Sequence, residues 1–267
     1  MENLEHIKKA TPHKVINNVL CFLTEGIQNI FADDLVGIYL TGSLSYGDFN
    51  KERSDIDLAV VLKNPAPGEK IQKVKQLHID AEKKFPRWAK RIECSYISLF
   101  MLENILPPKE GRPYFGAGKF CPMAKYGNEW IIDQYVLVHD GIALIGPEFK
   151  TLIKKRIESK DLIEARIRDL FEEWEPKIKD TAYLNDPHQQ SYLVLHLCRI
   201  LYTILTGKLA SKPKSAAWIK NEFGEWKNLI EEAEAWRYGQ EMKRQKEVVE
   251  FIRFVIGKVG ELNKPKK

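Results

Sequence analysis

Gly42-Ser43-Leu44-Ser45-Tyr46-Gly47-Asp48-Phe49-Asn50-Lys51-Glu52-Arg53-Ser54-Asp55-Ile56-Asp57-Leu58 is the stretch on which the reading of this chain turns. Before it, Leu35 to Leu40 reads as a strand that runs into the small-residue turn Thr41-Gly42-Ser43. After the turn, Asp55 to Leu62 reads as a second strand, rich in β-branched residues at its end. A Gly-Ser turn at a strand end offers backbone N–H groups to phosphate oxygens. Gly42 lets the backbone approach closely, and the Ser43 hydroxyl adds a donor. Asp55 and Asp57 are two residues apart, so in a strand both side chains leave the same face. Two like charges on one face repel each other, a cost that a divalent cation removes. Magnesium is typically held by one or two carboxylates plus substrate phosphates. Glu93 is the candidate third acid, flanked by Ile92 and Cys94 in a third strand from Arg91 to Leu99. It would hold a second metal or accept a proton from a nucleophile.

Outward from these strands, apolar residues at helical spacing predict a helix over about 13–31, with Val15, Ile16, Val19, Leu20, Leu23, Ile27, Ile30 and Phe31 on its buried stripe. Asn64-Pro65-Ala66-Pro67-Gly68 breaks the second strand, and a lysine-rich helix follows to about Phe85. The glycine- and proline-rich segment 107–128 reads as a long loop, of the kind that forms lids or substrate walls or else is disordered. A helix over Glu129 to His139 and a short strand over Ile142 to Ile145 close this half. Strand signals then stop. Helices are expected over roughly 159–179, 188–206, 215–223, 225–238 and 240–259, with Gly207 ending one of them. The pattern implies an α/β domain over residues 1–150 and a helical domain over 151–267.

The net charge of +5, from 42 basic and 37 acidic residues, suits a protein that handles phosphates without requiring nucleic acid as a partner. The lysines and arginines are scattered along helical stretches rather than gathered into one block. Cys21, Cys94, Cys121 and Cys198 have no CxxC or zinc-type spacing and read as reduced thiols. No apolar run approaches the ~20 residues that span a bilayer, and no signal peptide opens the chain, so a cytoplasmic protein with no membrane partner is expected. The tail 263–267 reads as loose. His78, His139 and His196 show no mutual metal spacing, and Trp174, Trp218 and Trp236 fit helix packing. The aromatic-basic run Arg112-Pro113-Tyr114-Phe115 fits an acceptor-site wall or a purely structural loop equally well.

The Gly-Ser turn, its spacer, the acid–apolar–acid triplet and a carboxylate on a later strand resemble the DNA polymerase β-type nucleotidyltransferase superfamily. Within it, Gly42 through Leu58, Ile145-Gly146-Pro147, Arg199-Ile200-Leu201-Tyr202, Thr206-Gly207-Lys208, Ala216-Ala217-Trp218 and Gly239-Gln240-Glu241 are similar to the aminoglycoside adenylyltransferases acting on streptomycin and spectinomycin. That resemblance implies an α/β N-terminal nucleotidyltransferase domain, with a polymerase β-like mixed sheet and flanking helices, plus an all-α C-terminal helical bundle. It implies two magnesium ions held by Asp55, Asp57 and Glu93, with Glu93 as general base. ATP is the implied co-substrate, its phosphates contacted by Gly42, Ser43, Ser54, Arg199 and Lys208, in a cleft between the domains. The implied acceptor is a small cationic molecule with a hydroxyl, an aminoglycoside or aminocyclitol, drawn to acids such as Glu129, Asp180 and Asp186. Where streptomycin-type members carry an acid and a tryptophan, this chain has Asp180 to Pro187, followed by Gln189-Gln190 in place of an acidic pair. Three readings stand open: an antibiotic acceptor, another metabolite or a protein side chain as acceptor, and a nucleotide-binding module without turnover.

Overall fold

The computed structural model describes residues 4–262, so the tail 263–267 lies outside the described residues. The chain divides into two compact units, Met1–Arg156 and Ile157–Lys267.

The first unit is built on one six-stranded sheet in the order β5-β4-β3-β2-β1-β6. In chain order it runs α1 (Lys14–Phe31), β1 (Leu35–Thr41), β2 (Ile56–Leu62), α2 (Gly68–Lys84), β3 (Ile92–Ser98), β4 (Arg112–Gly116), β5 (Lys119–Ala124), α3 (Glu129–His139) and β6 (Ile142–Ile145). β2 and β3 pair in parallel through the α2 crossover, and the other pairings are antiparallel. The two-residue period sorts the side chains cleanly. Ile56, Leu58, Val60 and Leu62 of β2, with Ile92, Cys94 and Tyr96 of β3, join one buried cluster with Ile16, Leu20, Leu23 and Ile27 of α1 and Val74 and Ala81 of α2. Asp57 and Glu93 alternate with that set and so belong to the opposite face.

The sheet departs from the sequence expectation at two points. The segment 107–128 is not a structureless loop: it contains the β4–β5 hairpin, turning at Ala117 (φ 50°) and Gly118 (φ 72°). Successive positive φ values mark the primed turn that suits two-residue hairpins, and Phe115 pairs with Phe120 across it. β5 is the sheet edge and largely exposed, which is where Pro122 is tolerated in a strand. The second point concerns Asp55, which precedes β2 rather than lying within it.

The second unit packs α4 (Ser159–Asp169), α6 (Lys212–Glu222), α7 (Lys227–Ala235) and α8 (Gln245–Leu262) around α5 (Pro187–Thr206). α5 starts on Asp186, whose carboxylate accepts the His188 N–H at 2.8 Å, with Pro187 in its first turn. It ends at Gly207, φ 69°. Leu193, Val194, Leu197, Cys198 and Leu201 of α5 are fully buried in this unit's core. The helix expected over 159–179 instead changes hand-width: after Asp169 it opens into a π turn, Leu170–Trp174, and then tightens over Glu175–Ile178. Trp174 Nε1 donates to Asp169 Oδ1 at 3.1 Å, a five-residue reach that suits the wider turn. The last helix starts at Gln245 rather than near residue 240. Residues 236–244 are instead engaged in loop hydrogen bonds, including Trp236 Nε1 to the Gln240 carbonyl (2.9 Å) and the Arg244 N–H to Gln190 Oε1 (2.8 Å).

Two buried histidines give this fold a pH signature. Burial drives His78 down to about 3, although it keeps a 2.8 Å hydrogen bond with Tyr96 Oη. Burial also lowers His196, to about 4; the Asp169 carboxylate 2.8 Å away opposes that shift, and Arg166 and Arg199 add to it. Both are neutral when folded but take up protons near the ordinary 6.5 when unfolded. Below that value the unfolded state binds more protons, so stability falls with pH, by at most about 1.4 kcal/mol per pH unit for each histidine. We expect the melting temperature to drop between pH 7 and 5, and His78→Gln to flatten part of the slope. A melting temperature level across that range would show that these histidines titrate freely in the folded protein.

Candidate active site

The turn after β1 is a single tight 3-10 turn, Gly42–Leu44, held by the Ser45 N–H on the Gly42 carbonyl (3.0 Å) and the Asp48 N–H on the Ser43 carbonyl (3.1 Å). Gly42 has φ +67°, and a Cβ there would collide with the Asp57 carboxylate. Glycine is required twice over, for backbone conformation and for room. The strand registers then set the acids side by side. Thr41 stands opposite Asp57, and Asp57 stands opposite Glu93 on the parallel neighbour. The chain thus brings Gly42, Asp57 and Glu93 together at one end of the sheet, on the face away from α1 and α2.

The remaining expected site residues are placed differently. Asp55, just before β2, has its carboxylate 3.7 Å from Arg91 Nε. Arg91 also donates to the carbonyls of Ser54 and Lys51, so it ties the 51–55 segment to the start of β3. Ser54 Oγ accepts the Asn50 N–H at 3.0 Å and closes the loop locally. Arg199 lies on α5 in the second unit, where its Nε is buried with no hydrogen-bond partner among the described residues. Lys208 follows Gly207 and is exposed, its own N–H on Thr206 Oγ1 at 3.2 Å. The acids named for the acceptor have local roles as well. Glu129 accepts the Gly127 N–H (2.8 Å), Asp180 accepts the Ala182 N–H (3.1 Å), and Asp186 caps α5. Gln190 is buried, donating to the Leu184 carbonyl at 2.8 Å.

Tyr114 and Arg112 stand closer to the acids than their place in the sequence indicated. Burial pushes the Tyr114 phenol well above its usual range; the neighbouring Glu93 carboxylate and the Asp57 charge push it further, while Arg112 opposes them. The signal lay in Arg112-Pro113-Tyr114-Phe115, but its use depends on β4 pairing with β3, which no local pattern announces.

The donor set fits a hard divalent cation. Asp57 and Glu93 supply two carboxylates from register-paired positions, the arrangement in which magnesium takes its other ligands from phosphates. Among the described residues no group of three or more His, Cys, Asp or Glu is placed to hold a metal ion, the expected Asp55, Asp57 and Glu93 set included. Asp55 faces Arg91 at the margin of the pair.

A mixed sheet carrying a Gly-Ser turn beside paired acids, followed by a helical unit, defines a nucleotidyltransferase. The comparisons agree. Residues 25–106 match the nucleotidyltransferase domain, and residues 152–258 match the aminoglycoside adenylyltransferase C-terminal domain. The two matches fall in the sheet-containing half and the helical half of the chain respectively. It is 28% identical over 191 residues to an aminoglycoside (3'') (9) adenylyltransferase of Rhizobium radiobacter, covering 66% of this chain and 68% of that one. Its fold is similar to that of the spectinomycin adenyltransferase AAD(9) from Enterococcus faecialis, solved with ATP and spectinomycin: TM-score 0.72, 17% identity, 91% of this chain and 98% of that one. No helix among the described residues is long and apolar enough to cross a membrane.

Proposed function

We propose that this enzyme transfers AMP from ATP to a hydroxyl of an aminoglycoside or aminocyclitol antibiotic, with release of pyrophosphate. The observation that carries this reading is the register pairing of Asp57 with Glu93 beside the Gly42 turn, taken with the two domain matches.

The acceptor oxygen attacks the α-phosphorus in line with the departing pyrophosphate. Glu93 takes the proton of that hydroxyl on a carboxylate oxygen. The Gly42–Ser43 turn orients the triphosphate, and Ser43 and Ser54 contribute hydroxyls to it. Arg199 and Lys208 supply positive charge to the phosphates. Two magnesium ions, held by Asp55, Asp57 and Glu93 and by the triphosphate, would neutralise the phosphate charge when bound. Transfer of this kind needs little covalent chemistry from the protein, so alignment and charge stabilisation supply most of the acceleration.

The acceptor is cationic in this reading, drawn by acids such as Glu129, Asp180 and Asp186. The test is pyrophosphate release by the purified protein with ATP and magnesium, screened over spectinomycin, streptomycin and other aminoglycosides. We expect release that depends on one of these antibiotics and whose KM for it rises with added salt, because the Debye length is about 10 Å at 0.1 M. Release driven only by neutral or anionic hydroxyl compounds would remove the antibiotic and leave nucleotidyl transfer.

A further inference from the structure

The polar face of the sheet continues past Glu93. Ser95 lies two residues further along β3, on the same face, and is the register partner of Tyr114 on β4. Tyr114 therefore stands on the strand next to that of Glu93 and on the same face, with its hydroxyl reaching back over Gly116, just beyond the Cys94–Phe115 pair, toward the Glu93 carboxylate, whose charge raises the phenol's pKa. Room for that hydroxyl comes from Gly116, two residues on, where a Cβ would run into Tyr114 Oη. The arrangement repeats the one at Gly42, where a missing Cβ admits the Asp57 carboxylate.

The Tyr114 ring is also held from behind. Arg112 is buried, 6% exposed, and its guanidinium lies 5.2 Å from the Tyr114 ring centre and 3.4 Å from that of Tyr126. Its Nη1 donates to the carbonyls of Ala124 (2.9 Å) and Lys125 (2.8 Å), which fixes it to the far strand of the hairpin. A planar guanidinium anchored at two carbonyls and stacked on aromatic faces is a stiff support. Tyr126 in turn packs against the buried Trp130, with ring centres 4.5 Å and planes 55° apart. The hairpin thus delivers one hydroxyl, from a braced ring, to the one acid to which the proposed mechanism gives the proton.

We propose that Tyr114 is a positioning residue for Glu93: its hydroxyl donates to one carboxylate oxygen and turns the other toward the acceptor hydroxyl, with Arg112 as the fixed wall behind it. This rests on Glu93 as the general base. Hydrogen bonds to charged groups are the stronger class, and a base turned away from its proton loses rate rather than affinity.

The experiment is a double-mutant cycle on the full chain, with ATP, magnesium, and spectinomycin or streptomycin as acceptor. In the wild-type background Tyr114→Phe keeps the ring and its packing. It should lower kcat about 10–100-fold while the KM for ATP and the melting temperature stay in place. In the Glu93→Gln background the same change should cost nothing further, because the base it orients is gone. A kcat within twofold of wild type for Tyr114→Phe, or an equal loss in both backgrounds, would overturn the proposal. A Glu93→Gln enzyme that turns over at the wild-type rate would instead refute the general-base reading itself, and the positioning role with it. The two failures are therefore told apart within one set of measurements.

Discussion

Asp57→Asn should abolish turnover and leave the fold standing. The side chain lies beside the Gly42 turn and opposite Glu93, and in the proposed mechanism it supplies the carboxylate through which a hard cation would meet the triphosphate. An amide of the same shape retains the packing but loses the charge. Loss of one preorganised electrostatic contact at a reacting centre costs on the order of 10²–10³-fold in kcat, and weakened cation binding adds to that when magnesium is limiting. Apo stability should hold or rise slightly, because a like charge beside Glu93 has been removed. Steady-state pyrophosphate release and a thermal melt check both statements. Near-wild-type activity at limiting magnesium would end the metal assignment of Asp57.

Glu93→Gln should separate chemistry from binding. Glutamine keeps the size and the hydrogen-bonding outline but accepts no proton near neutral pH. The expected loss is about 10²–10⁴-fold in kcat, the usual span for general acid–base catalysis, with ATP affinity largely preserved. Equilibrium titration with ATP and magnesium, set beside single-turnover kinetics, reads the two quantities independently. A collapse of ATP affinity with kcat intact at saturation would make Glu93 chiefly a metal ligand.

How much of this was legible in the sequence depends on the range of the contacts involved. Regular elements with strong local patterns were readable: α3 over Glu129–His139 and β6 over Ile142–Ile145 fall where the apolar periodicity puts them. The turn at Gly42 and the adjacent strands carrying Asp57 and Glu93 were readable for the same reason, since their spacing is short and their residue types are distinctive. The β4–β5 hairpin was not. Its glycines and prolines read locally as loop, and its strand character comes from pairing with β3, Cys94 opposite Phe115 and Ser95 opposite Tyr114. Tyr114 and Arg112 were visible as a run but not as neighbours of Glu93, because that proximity exists only once the hairpin joins the sheet. The start of α8 failed similarly. The Arg244 N–H is taken by Gln190, far back in the chain, which keeps the segment before Gln245 out of the helix.

The central claim is that the α-phosphate, with its nucleoside, moves to a hydroxyl of the acceptor. The most direct measurement incubates the protein with magnesium, spectinomycin or streptomycin, and ATP labelled at either the α- or the γ-phosphate. The account predicts that the α label becomes covalently attached to the antibiotic, that the γ label leaves as pyrophosphate, and that neither happens in Asp57→Asn. Transfer of the γ label to the antibiotic, or labelled antibiotic in equal yield from Asp57→Asn, would contradict it.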